Sequence, residues 1–216
     1  MAVLKDFHGD IFPNVQGCPT GVLNNALRST LIDFCRASRL WKLESPLTDV
    51  TAGEPRYKFS PQDGVRVVTV DYAAFEGSHL TKTSQHDLDQ DGSMRGWRDM
   101  ESTSPNKFYI DNPDMLRLVP TPSEDKSAAL KLFVSVTPTR DASDVPDWLY
   151  EDWGTTIAHG TLARLHAMAN RVWADPSLVA FHDQQYRAGL SRAKTRAMKS
   201  LLTIGKTMLP QSFLSL

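Results

Sequence analysis

The sequence predicts an α+β fold: a helical bundle interrupted by an inserted antiparallel β-sandwich or barrel-like module. Three observations carry this reading. Near the start, Leu23, Leu27, Leu31, Phe34 and Cys35 recur at spacings of three and four, the mark of one apolar helix face. After Pro146 the same periodicity returns in Trp148, Leu149, Trp153, Ile157, Leu162, Leu165 and Met168. Between the two lie short β-rich runs separated by proline and glycine, the pattern of a small sandwich or barrel. A helix with one apolar face cannot bury it alone, so the flanking helices are expected to pack on each other.

Residues 1–43 form an N-terminal arm and the first bundle helix. Pro19-Thr20 starts that helix, with Thr20 or a neighbour as cap, and the pattern ends near Leu40-Trp41 after about six turns. Residues 44–145 form the β-rich module. Its strand candidates are Arg56-Tyr57-Lys58-Phe59, the β-branched run Val65 to Tyr72, Lys107 to Ile110, Met115 to Val119 and Leu130 to Val136. Residues 146–200 form a helical hairpin, with one helix from about Asp147 to Trp173 and a second from Val179 to Lys199 after the Asp175-Pro176 restart. Gly154 and Gly160 lower the helicity of the first and leave room for a neighbouring helix. Residues 201–216 form an apolar tail in which Gly205 and Pro210 argue against one uninterrupted helix.

Composition excludes several classes. The 216 residues are 41% hydrophobic and 23% charged, with a net charge of −1, ordinary for a chain that buries a core. A near-neutral balance gives no global field for sequence-independent DNA binding. No run of 18 apolar residues is present to span a membrane, and acids at Asp6 and Asp10 argue against a signal peptide. Cys18 and Cys35, without CxxC spacing, read as reduced packing residues.

Four features were weighed for chemistry. The run His86 to Ser93 reads HDLDQDGS, with Asp87, Asp89 and Asp91 followed by Gly92, like the first half of an EF-hand loop. The twelfth position holds Arg98 where the bidentate glutamate belongs, and Asp91-Gly92 is a strong turn signal, so a solvated loop without a metal is expected. His159 and His166 stand two turns apart on one helix, about 10 Å along the axis, too far to share an ion. No HExxH, GxSxG, P-loop or GxGxxG pattern occurs; Gly205-Lys206-Thr207 has only the end of a P-loop. The sequence therefore predicts no enzyme, no catalytic residue and no cofactor. The fourth feature is a cationic stretch, Arg187, Arg192, Lys194, Arg196, Lys199 and Lys206, with no acid after Asp183.

Several segments together resemble one known family. Cys18-Pro19, Ala26-Leu27-Arg28, Ile32 to Arg36 and Leu40-Trp41 resemble the first helix of tailed-phage head-to-tail adaptor (connector) proteins, the tail tubular protein A-like group of short-tailed phages. Val145 to Tyr150, Trp153 and Ile157 to Leu165 resemble the family's second block, and Trp173 to Pro176 with Tyr186 to Gly189 and Arg196-Ala197 the third. Leu116 to Pro122 matches a strand ending in P-x-P. No single motif is diagnostic; the specificity lies in their order. The resemblance implies a virion protein at the head-tail interface, made in the host cytoplasm. It implies a ring, dodecameric in the family's manner, that joins the portal protein to the tail nozzle protein and extends the DNA channel. Docking on the portal or a neighbouring subunit is expected through Arg192, Arg196 and Lys199 and the apolar Leu201, Leu202, Ile204, Met208, Leu209, Phe213, Leu214 and Leu216. The alternatives left open are a calcium- or other metal-binding module and a generic cytoplasmic protein-binding domain.

Overall fold

A computed structural model describes residues 1–59, 63–112 and 114–207, with side chains described except at 94 and 200–207. Helices α1 (His8–Ile11), α2 (Thr20–Ser38), α3 (Gln85–Gln90), α4 (Asp147–His166) and α5 (Pro176–Thr207) alternate with short strands, and the fold is mixed α+β. The chain divides into two compact units, residues 1–40 with 137–216 and residues 41–136.

In the first unit, α4 packs against both α2 and α5. Leu23, Leu27, Leu31, Phe34 and Cys35 of α2 are all buried, as are Trp153, Ile157, Leu162 and Leu165 of α4. Each such side chain contributes about 1.5–3 kcal/mol when fully buried, and Phe34 meets Trp153 at a ring-centroid distance of 5.6 Å. Two threonines sit on these apolar faces because each satisfies its own hydroxyl one turn back: Thr30 donates to the Ala26 carbonyl and Thr161 to that of Ile157, both at 2.9 Å. Arg164 ties α4 to α2 through Asp33 and, at 2.8 Å, through Thr30. Strand Ala2–Val3 pairs antiparallel with Asp144–Val145, and Phe7 closes edge-on against Tyr150.

Several helix ends differ from expectation. No side chain caps α2; Pro19 is its N-cap and Thr20 its first residue. It ends at Ser38, because Arg39 turns into the left-handed region at φ 54°. Helix α4 stops at His166 rather than Trp173; Asn170 adopts φ 58°, a conformation asparagine tolerates better than most residues. Helix α5 begins at Pro176, three residues before the expected Val179. Asp175 accepts from the Ser177 amide at 3.0 Å and Pro176 takes the first helical position. At its other end α5 runs through Gly205 to Thr207, so this glycine does not end the helix; in a helix interior it costs only about 1 kcal/mol against alanine. Pro210 lies outside the described residues.

The second unit carries the sheets. One contains Lys42–Glu44, Lys126–Pro138, Val65–Phe75 and Ser78–His79 in that order, with Thr48–Val50 also on the long strand. The other runs Arg56–Lys58, Met115–Val119, Lys107–Asn112, Thr81–Lys82. Most pairings are antiparallel, but Thr81–Lys82 joins Lys107–Phe108 in parallel, and Thr121–Pro122 joins Glu101–Ser102 in parallel. Those parallel pairs involve two-residue strands, too short to show any periodicity in sequence.

Candidate functional site

The aspartates of HDLDQDGS lie at the surface, but two of them stand on a short helix and not in a loop. Asp87 and Asp89 lie on α3, which Ser84 caps by accepting from the Asp87 amide at 3.1 Å. Asp89 accepts from Trp97 Nε1 at 2.9 Å and from Arg98 at 2.7 Å, while Asp91 takes Ser93 and Lys107. The Arg98 guanidinium and the Trp97 indole hold the Asp89 carboxyl at about 2, and Ser93 with Lys107 holds Asp91 at about 2. Asp89 and Asp91 point at separate protein cations, and Asp87 accepts from Ser84 Oγ at 2.7 Å. Asp87 and Asp89 are exposed, as expected, but on a helix instead of a loop, because the segment has its own apolar anchor: Leu88, Trp97, Tyr109 and Val119 form a small buried cluster. Arg98 and Arg117 both lie over the Trp97 ring, at 4.3 and 5.0 Å from its centroid. The signal available in sequence was Trp97 itself, a large aromatic in an otherwise polar stretch.

His159 and His166 are connected after all, through His182 of α5. His159 Nδ1 and His182 Nδ1 stand 2.8 Å apart, and the His166 and His182 rings stack at 5.5 Å with 15° between planes. His166 Nδ1 donates to the Trp173 carbonyl at 3.0 Å. One ring of the close pair must donate and the other accept, so at least one is neutral. Burial lowers the pKa of His159; burial, then the charges of His159 and His166, lowers that of His182. Stacked rings aim their nitrogen lone pairs in parallel, and among the described residues no group of three or more His, Cys, Asp or Glu side chains is arranged to hold a metal ion. The column is a helix-helix contact. Cys18 and Cys35 are buried free thiols, and burial pushes that of Cys35 up to about 12, far from a reactive thiolate.

Helix α5 positions the expected docking residues. Arg192, Arg196 and Lys199 are exposed along it, and Arg196 pairs with Asp152 of α4 at 2.7 Å. Leu201, Leu202 and Ile204 fall on its last turns, with side chains outside the described residues; Met208, Leu209, Phe213, Leu214 and Leu216 lie outside them altogether. Among the described side chains of α5, those buried form a narrow seam at His182, Gly189, Ala193 and Ala197. Small residues there let the helices approach closely: a Cβ on Gly189 would sit 2.3 Å from Thr156 Cγ2. Gly160 serves the same end, since its Cβ would meet Tyr186 at 2.6 Å and Thr30 at 2.7 Å. Gly154 does not, because its nearest neighbour is Tyr150 of its own helix.

Among the described residues no helix is long and apolar enough to cross a membrane. No curated protein matches the chain. The sequence profile of the SU10 adaptor protein family, however, matches residues 9–204, and so takes in α2, both sheets and the α4–α5 hairpin. The match covers most of the 216 residues, and the chain belongs to the SU10 adaptor protein family, as a phage structural adaptor and virion component.

Proposed function

We propose that the chain assembles into a ring, dodecameric by analogy with short-tailed phage connectors, that joins the portal to the tail nozzle and continues the DNA channel. The family match over residues 9–204 is the observation that carries this reading. The ring acts by binding and not by catalysis. DNA passes through it without sequence-specific contacts, consistent with a net charge of −1.

The attachment element is the distal end of α5 with the segment beyond it. Helix α5 has 32 residues against 20 in α4. The two run antiparallel, with Arg196 beside Asp152 and His182 beside His159, so α5 passes the start of α4 near residue 200 and extends to Thr207. Arg192, Arg196 and Lys199 lead into Leu201, Leu202, Ile204, Met208, Leu209, Phe213, Leu214 and Leu216, an apolar run that a subunit has reason to bury against a partner. The test is electron microscopy of the purified protein mixed with portal rings. The expected result is an added ring of density at the portal. A chain that leaves portal rings unchanged at high excess would overturn the proposal, as would a chain lacking 201–216 that still adds normally.

A further inference from the structure

The α4–α5 hairpin carries a groove of about 480 Å³ floored by Gly160, Ala163, Ala167 and Ala180 and walled by Val179 and Tyr186. A second groove of about 450 Å³ continues it along α5 past Leu190, sharing Asp183 and Tyr186. The ionic groups at the first groove are already matched. Arg164 is held by Asp33 and Thr30, and Arg187 pairs with Asp183 at 2.7 Å. An occupant therefore needs no charge, and small floor residues favour one with apolar side chains.

Residues 208–216, Met-Leu-Pro-Gln-Ser-Phe-Leu-Ser-Leu, have no charged side chain and include Met208, Leu209, Phe213, Leu214 and Leu216. The far end of their own groove, at Val179 and Ala180, is out of reach, although its continuation past Leu190 is not. Val179 and Thr207 are both on α5, separated along its axis by about 42 Å at a rise of about 1.5 Å per residue. Fully extended, the nine residues after Thr207 span at most about 32 Å. The groove end at Val179 and Ala180 can receive this segment only from another molecule.

We propose that the groove takes residues 208–216 of a second copy of this chain. The inference rests on the self-association proposed above and deepens it by naming the surface. The contact joins two different patches, the far end of α5 on one copy and the α4–α5 groove on the next. It is therefore heterologous, the kind that propagates around a ring.

The test uses the full chain and a fluorescent synthetic peptide of residues 208–216, with binding read by anisotropy. The expected result is saturable binding, weakened at least tenfold by Ala180→Trp in the protein or by Phe213→Asp in the peptide. Ala180 is exposed, so the variant should keep its circular dichroism and melting profile. Ala167→Trp, at another exposed floor position, gives an independent second variant if the first misfolds. Sedimentation velocity should show the same variants reducing self-association of the full chain. Peptide binding that ignores both tryptophans overturns the proposal, as does absence of peptide binding while the wild-type chain still adds rings to portals. Failure of the wild-type chain to add to portals would instead sink the function reading.

Discussion

Gly189→Ala tests the hairpin at its tightest point. The added Cβ would lie 2.3 Å from Thr156 Cγ2, 2.4 Å from Oγ1 and 2.9 Å from Cβ. Rotation of Thr156 can move the first two atoms but not the third, which is fixed to the α4 backbone. Carbon atoms pack well at about 3.5–4.0 Å, so the helices must part by roughly 0.5–1 Å at this level, a gap that forfeits a quarter to a half of each contact across it. Forcing a methyl group into a packed seam costs about 1–3 kcal/mol, whereas replacing glycine by alanine inside a helix returns about 1 kcal/mol. The net expectation is a loss of up to about 2 kcal/mol, centred near 1, read by urea unfolding monitored at 222 nm and by tryptophan fluorescence. Thr156→Ala in the same chain removes the two nearest atoms and should recover more than half of the loss, a coupling that a double-mutant cycle isolates. A Gly189→Ala protein about 1 kcal/mol more stable than the parent would refute the close-approach argument, because the propensity gain would then be acting unopposed. So would a Thr156→Ala change that fails to rescue.

Three further outcomes are expected. Phe34→Ala, which empties a fully buried site beside Trp153, should cost about 3–5 kcal/mol in the same assay; a loss below about 1 kcal/mol would mean α2 and α4 do not share a core. The depressed pKa values of His159 and His182 mean that the unfolded chain binds protons more readily than the folded one. Stability from these rings is therefore fully present above the unfolded value of about 6.5 and declines as pH falls from there toward the folded values. Melting temperature should drop between about pH 7 and pH 5, and His182→Phe should flatten the drop; a melting temperature that rises on acidification would contradict the sign. Asp89→Asn should lower the stability of the β-rich unit at neutral pH, and the deficit should shrink as pH falls below the ordinary aspartate value of 3.8 toward about 2, where the native carboxyl is protonated as well. A deficit unchanged at low pH would show that Arg98 is not the partner that matters.

The periodic parts of the fold were legible in the sequence, and the parts set by long-range pairing were not. Leu23, Leu27, Leu31, Phe34 and Cys35 announced a buried helix face because helical spacing alone places them on one side. The β-rich runs announced strands, but no local pattern says that Thr81–Lys82 lies parallel to Lys107–Phe108. The aspartates were misread for the same reason. Lys107 and Tyr109 reach α3 through sheet register, and Arg117 arrives from the strand beyond them. His182 was invisible as a neighbour of His159 because α4 ends at His166, seven residues earlier than its apolar pattern suggested, and this end point sets where α5 begins its return.

That return has a consequence for the proposed attachment surface. Once His182 lies beside His159 and Arg196 beside Asp152, the register of the hairpin is fixed, and the 32 residues of α5 extend beyond the level at which the 20 of α4 begin. The apolar residues 208–216 follow this end of α5 in the sequence. The Gly189–Thr156 contact maintains the same register, since a helix slide of even one residue would set a larger side chain against Thr156. Substitutions in that seam should therefore weaken attachment to a partner as well as stability, though they lie far from residues 208–216.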